Sequence, residues 1–281
     1  MKKINVKELA EAIEKLCIES NYNLRSDVFH ALRNSLNVEE SKIGRVIIKQ
    51  IIKNAELACA KQLPICQDCG IVNILLKIGQ DVVLIGGTVE EAVNEGVRKG
   101  YGRGFLRKSV VCDPCFERKN TGDNTPAIIS QRIVPGDSIR VAVMPKGGGS
   151  ENVSVVKMLL PGDGPEGIKR VVLQAVKDAK ANPCPPVVVG VGIGGTFDSV
   201  GFLAKKALFR NINERNSDER YAVLEMNLLD DINSLGIGPS GLGGKITALA
   251  VNIETFPCHM ACLPVAVNFG CCALRSAECV L

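Results

Sequence analysis

Three cysteines, each in a stiff, glycine- or proline-flanked segment, constrain this chain more than any other feature. They stand in Pro64-Ile65-Cys66-Gln67-Asp68-Cys69-Gly70, Asn182-Pro183-Cys184-Pro185-Pro186 and Asn268-Phe269-Gly270-Cys271-Cys272-Ala273. Proline fixes φ and glycine lets backbone approach closely, so each thiol rides on a loop of limited freedom. Three loop thiols far apart in sequence, two histidines and no hydroxyl-nucleophile motif form a donor set for an iron–sulfur cluster held by three thiolates. The fourth iron is then open, which separates a catalytic metal site from a structural one. The thiols span residues 66 to 271, so this polypeptide alone closes the cage.

Twelve cysteines in 281 residues do not read as the disulfide framework of a small secreted domain. The start, Met1-Lys2-Lys3-Ile4-Asn5-Val6-Lys7-Glu8, reads as an amphipathic helix opening without an apolar signal core. No apolar run approaches the roughly 18 residues of a membrane span. The expectation is a reducing cytoplasm with free or metal-bound thiols. A net charge of +4, with no dense Lys/Arg run, gives no footprint for nucleic acid. With no Trp and 4% aromatics, the core must be aliphatic.

Residues 5–62 read as helical, from Leu9, Ile13, Leu16 and Cys17, then Val28, Leu32 and Leu36, then a third helix opened by Ser41. Short β-branched runs follow at Ile71–Ile78 and Val82–Ile85, and Thr88 caps a helix towards Gly100. Ile128–Val134 and Ser138–Met144 predict a hairpin turning at Pro135-Gly136-Asp137. Helices are expected at about Glu166–Ala181, Thr196–Phe209 and Asp218–Leu229, and strands at Val187–Val191, Ile246–Ile253 and Leu263–Phe269. The pattern predicts an α+β (or α/β) fold: a helical layer over 1–62, then mixed strands and helices, in one domain over 1–281.

Several motifs carry competing readings. The pairs Cys66/Cys69 and Cys112/Cys115 suggest a zinc module, but they stand much further apart than in a ribbon and a helix is predicted between them. Gly190-Val191-Gly192-Ile193-Gly194-Gly195 matches a dinucleotide fingerprint only loosely, since the acidic residue expected downstream, Glu214, lies in a polar stretch. Its glycines either turn a helix N-terminus towards an anion or allow close helix–strand packing. Lys146-Gly147-Gly148-Gly149-Ser150 is either an anion nest or a plain turn. His30 is expected to be structural on a helix, whereas His259, in a proline-bounded loop, is a site candidate.

The segments Leu63–Gly70, Asn94–Tyr101, Leu106–Val110, Asn120–Ala127, Lys146–Ser150 and Leu263–Asn268 together resemble the alpha subunit of two-subunit class I fumarases and L-tartrate dehydratases, over nearly the whole chain. That resemblance implies an oxygen-sensitive hydro-lyase with a [4Fe–4S] cluster on Cys66, Cys184 and Cys271 and one open iron. It implies substrate contacts from Gln67, Arg107, Gly148, Gly149 and His259, with Asp68 in a catalytic, water- or base-orienting role. It further implies a beta subunit bringing the proton-abstracting base and two more substrate arginines. The chain departs from the family at Cys69, where Thr is usual, at Cys112 and Cys115, and at Cys272 beside the third ligand; register with Asn268 and Arg275 favours Cys271. Fumarate is the expected substrate, L-tartrate the alternative, and a non-catalytic zinc module the reading from another class.

Overall fold

The computed structural model describes residues 2–281. Helices and mixed sheets make an α+β fold, and the chain divides into two compact units. The first comprises residues up to Arg25, Ala55–Gly148 and Arg275–Leu281; the second comprises Ser26–Asn54 and Gly149–Leu274.

In the first unit, β1 (Lys2–Asn5) pairs in parallel with β3 (Val82–Ile85), where an amphipathic helix start was expected. Asn5 then caps α1 (Val6–Tyr22) in a reciprocal box with Glu8, so the helix begins one residue after the start of the expected helical stretch at 5–62. Thr88 caps α4 (Val89–Arg103) in the same way through Glu91, as its sequence position predicted. A four-stranded sheet runs in the order β10-β5-β2-β4, comprising β2 (Ile71–Gly79), β4 (Ile128–Val134), β5 (Ile139–Lys146) and β10 (Ala277–Val280). The expected hairpin is therefore absent as a pair: β4 lies parallel to one side of β2 and β5 antiparallel to the other. The turn at 135–137 is real, but β2 occupies the gap it spans. α1 packs on α4, β5 and β10, and Leu9, Ile13, Val93, Val97, Ile74, Leu76 and Val141 share an aliphatic core.

The second unit holds α2 (Ser26–Ser35) and the opening turns of α3 (Lys42–Lys61), whose Ser41 hydroxyl accepts from the Gly44 amide. His30 is exposed on α2, not in a core, with its ring edge-on to Phe29. After the short α5 (Gly148–Glu151), which begins within the first unit, come β6 (Val155–Leu159), α6 (Gly164–Ala179), β7 (Val187–Gly194), α7 (Phe197–Ala207), α8 (Glu219–Asn233), β8 (Ala248–Phe256) and β9 (Leu263–Gly270). The sheet order is β6-β9-β7-β8, with β8 parallel and β9 antiparallel to β7. β7 is buried along its whole length, as a strand covered on both faces must be. Ile168, Val172, Leu228 and Ile232 from α6 and α8 join Val189 and Val191 in one core. Towards α7, a Cβ on Gly190 or Gly192 would lie 2.2 Å from the Ala204 carbonyl oxygen or 2.3 Å from that of Val200. Those two glycines therefore serve close helix–strand packing, and no dinucleotide role is needed to account for them.

Candidate active site

In the first unit the turn carrying Cys66 is fastened at almost every polar atom. Gly70 adopts φ +71° with its α-carbon against the Lys146 backbone, where a Cβ would fall 2.6 Å from the carbonyl. Asp68 closes the turn: Oδ1 accepts from the Gly70 amide at 2.9 Å and from Ser109 Oγ at 3.4 Å, and Oδ2 accepts from the Gly148 amide at 2.8 Å. The Asp68 carbonyl accepts from Arg275 Nη2. Tyr101, buried on α4, donates its hydroxyl to the carbonyls of Cys69 (2.6 Å) and Gly70 (3.2 Å), and Asn124 Nδ2 donates to Gly70 as well at 3.2 Å. Cys69 is buried. Its thiol donates to the Cys66 carbonyl at 3.8 Å and accepts from the Arg107 amide at 3.2 Å. Burial pushes that thiol above its ordinary pKa, against the opposing Arg107 amide and Arg275 charge, so it stays protonated. Cys69 thus acts once as donor and once as acceptor, a pairing that a hydroxyl at this position also offers.

Cys66 itself is half-buried, its thiol 3.4 Å from Gln67 Oε1. Gln67 and the Arg107 side chain are exposed, and the Arg107 guanidinium has no ion-pair or hydrogen-bond partner among the described residues. The Gly148 amide, expected to be open to substrate, is taken by Asp68.

In the second unit, Cys184 is exposed and held at φ +54°, a backbone region costly for a residue with a side chain. Its amide donates to Ala181 O at 2.9 Å, and its carbonyl accepts from the Cys272 amide at 3.0 Å. That last bond brings the Cys271-Cys272 turn, closed by Leu274 N to Cys271 O at 2.9 Å, against the Cys184 turn. Gly149 lies beside this turn as well, where a Cβ would come 2.9 Å from the Asn182 carbonyl oxygen.

A glycine-rich loop that the sequence reading passed over supports the same turn. The Ser240 amide donates to Pro185 O at 2.8 Å, and Gly241 sits so close to Ala181 that a Cβ would be 2.6 Å from that residue's own. The loop's base is held by Glu39, 2% exposed, which accepts from the amides of Ser41 (2.8 Å), Lys245 (3.1 Å) and Ile246 (2.8 Å). Five glycines within residues 236–244 were the available signal.

His259 is exposed in the loop after β8, with Nδ1 accepting from the Ala261 amide at 3.1 Å. In the neutral ring the proton then sits on Nε2, which is left to donate.

Among the described residues, no group of three or more His, Cys, Asp or Glu side chains is placed to hold a single metal ion. Of the zinc set, Cys69 is buried, while Cys112 and Cys115 are exposed around an Asp113-centred turn. The donor chemistry does fit a cluster. Cys66, Cys184 and Cys271 stand on fastened turns and form no disulfide, and Arg275 offers buried Nε and Nη1 groups that no described residue accepts.

Whole-chain likeness defines the class as hydro-lyase. A profile described as Fumarate hydratase (Fumerase) matches residues 10–280. The chain belongs to that family, on the side of the class I fumarase and L-tartrate dehydratase alpha subunits. It is 44% identical over 275 residues, 96% of both chains, to a Methanocaldococcus jannaschii protein provisionally named L(+)-tartrate dehydratase subunit alpha. It is 31% identical over 272 residues, 96% of this chain and 89% of the other, to the L(+)-tartrate dehydratase subunit alpha of Escherichia coli. Among the described residues, no helix is long and apolar enough to cross a membrane.

Proposed function

We propose that residues 1–281 form the alpha chain of a cytoplasmic [4Fe–4S] hydro-lyase acting on a four-carbon dicarboxylate, with Cys66, Cys184 and Cys271 as the thiolate ligands. The observation that carries this reading is the fastened Cys66 turn, to which the Arg107 segment is tied by its amide bond to the Cys69 thiol while the Arg107 side chain stays exposed. The names of the relatives favour L-tartrate, the alternative, over fumarate, the expected substrate.

When bound, the cluster supplies a Lewis-acidic iron without a protein thiolate, able to polarise a C–O bond. The chain's residues do the rest. Arg107 offers a planar two-point fork to one substrate carboxylate. His259 Nε2 and the Gly149 amide serve the other end, and Gln67 reaches the substrate from beside the first ligand. Asp68 keeps at most one acceptor site for a water once its three bonds to Gly70, Ser109 and Gly148 are counted. Nothing in the chain reads as a Cα-proton base, so a beta subunit supplies that base and further arginines.

The test is anaerobic reconstitution of alpha with beta, followed by assays of L-tartrate dehydration and fumarate hydration. A kcat/KM at least tenfold higher for L-tartrate supports the proposal, and the reverse ratio selects fumarate. Full turnover by alpha alone would contradict the two-chain reading.

A further inference from the structure

Arg275 is 3% exposed, yet no carboxylate among the described residues pairs with it. Nη2 donates to the Asp68 carbonyl, while Nε and Nη1 are buried without an acceptor among the described residues. Leaving one buried neutral donor unmade is already unfavourable, and two on a cation without a counter-charge is more so. The nearby turn has little to offer them. The carbonyls of Cys66, Cys69 and Gly70 are taken by Cys69, Tyr101 and Asn124, and the Asp68 carboxylate is taken by two amides and Ser109. A water could accept from these donors but leaves the charge unbalanced; an anion from outside the polypeptide supplies both acceptor and counter-charge.

Two anions suit the chemistry: the sulfur of a thiolate-bound cluster and a substrate carboxylate. Burial separates them. A substrate must enter and leave, and the exposed, unpaired Arg107 is suited to that traffic. A permanently buried cation needs a resident anion, and Arg275 donates to the carbonyl of the residue two places after Cys66. We propose that Arg275 is a positioning residue that donates its Nε and Nη1 hydrogens to sulfur of the cluster held through Cys66. This rests on the reading of Cys66 as a cluster ligand. A cation bonding to cluster sulfur stabilises the more electron-rich state, so Arg275 raises the reduction potential and helps retain the cluster.

The test uses anaerobically purified wild type, Arg275→Gln, Arg275→Lys and Cys66→Ser, each checked for folding by circular dichroism and thermal unfolding. Iron and sulfide are assayed, and the one-electron reduction is followed by EPR. At the potential that half-reduces wild type, the reduced-to-oxidised ratio in Arg275→Gln is expected to fall about tenfold or more, which is about 59 mV for one electron. Arg275→Lys, retaining charge without the fork, is expected to shift less and serves as the readout should Arg275→Gln not fold. A folded Arg275→Gln, or Arg275→Lys in its place, with wild-type cluster content and potential overturns the proposal; if its KM for the dicarboxylate is raised, the anion is the substrate. Full cluster in Cys66→Ser, or none in wild type, instead removes the reading on which the proposal stands.

Discussion

The two units solve one problem twice with different materials. Each four-stranded sheet has an inner strand, β2 or β7, flanked by two consecutive later strands, one parallel and one antiparallel. In each unit a proposed ligand turn precedes the central strand: Cys66 before β2 and Cys184 before β7. The antiparallel neighbour then ends beside that turn, delivering Gly147-Gly148 after β5 and Cys271-Cys272 after β9. The bond from Gly148 N to Asp68 thus has a counterpart in the bond from Cys272 N to Cys184 O. The fastening differs. Around Cys66, apart from Gly70 against the Lys146 backbone, it comes from side chains: Asp68, Cys69, Tyr101, Asn124 and Arg275. Around Cys184 it comes from backbone brought close by glycine, through Ala181, Cys272 and Ser240. The first turn is sensitive to loss of single functional groups, the second to any added Cβ in the loop that backs it.

The largest effect expected from this contrast is at Gly238, which sits at φ +70° with its α-carbon against Gly243, where a Cβ would fall 2.2 Å from the carbonyl carbon. Gly238→Ala combines left-handed strain with a backbone clash and is expected to cost about 3 kcal/mol or more in denaturant unfolding. Wild-type stability there would show that the loop yields easily and that glycine does not fasten the Cys184 turn.

Glu39 is the exception that sharpens the comparison, a side chain holding the base of the backbone-built loop. Burial tends to raise its pKa, but the Ile246, Ser41 and Lys245 amides outweigh it and hold the carboxyl below the ordinary glutamate range. Its folded value being the lower one, its contribution is complete above about pH 4.3 and is lost as pH falls through the depressed value. Glu39→Gln is expected to cost about 2 kcal/mol at neutral pH. It should also flatten the acid limb of stability, measured as unfolding midpoint against pH. An unchanged acid limb would remove Glu39 from that role.

Smaller effects belong to the Cys66 turn. Tyr101→Phe removes the donor shared by two carbonyls and is expected to cost about 1–2 kcal/mol in thermal unfolding, with some cluster loss. Smallest of all is Cys69→Thr, whose hydroxyl makes the same two bonds as the thiol; stability and iron content should stay within about 1 kcal/mol and experimental error of wild type. A large loss in Cys69→Thr would point to Cys69 as a sulfur donor in its own right.

Local signals were readable where local chemistry decides. Thr88 before a helical pattern, the β-branched run of β7 and the proline- and glycine-flanked thiols all lay open in the sequence. What stayed hidden depends on partners distant in the chain. Pro135-Gly136-Asp137 announces a reversal but not that β2 stands between the two strands it joins. β1 and β10, four residues each, are too short to show a period and exist because β3 and β5 offer them edges. The Gly148 amide read as a substrate donor because nothing local said that Asp68, far upstream, would take it. Glu39 and the 236–245 loop were missed for the same reason, since Glu39 makes sense only beside Lys245 and Ile246.

The most direct test of the central claim is iron and sulfide analysis, with visible absorption, of the anaerobically prepared chain and its Cys66→Ser variant side by side. A three-thiolate site predicts about four irons and four sulfides per wild-type chain with a broad brown band, lost in Cys66→Ser. A colourless protein holding one zinc, or iron retained in full by Cys66→Ser, would contradict it.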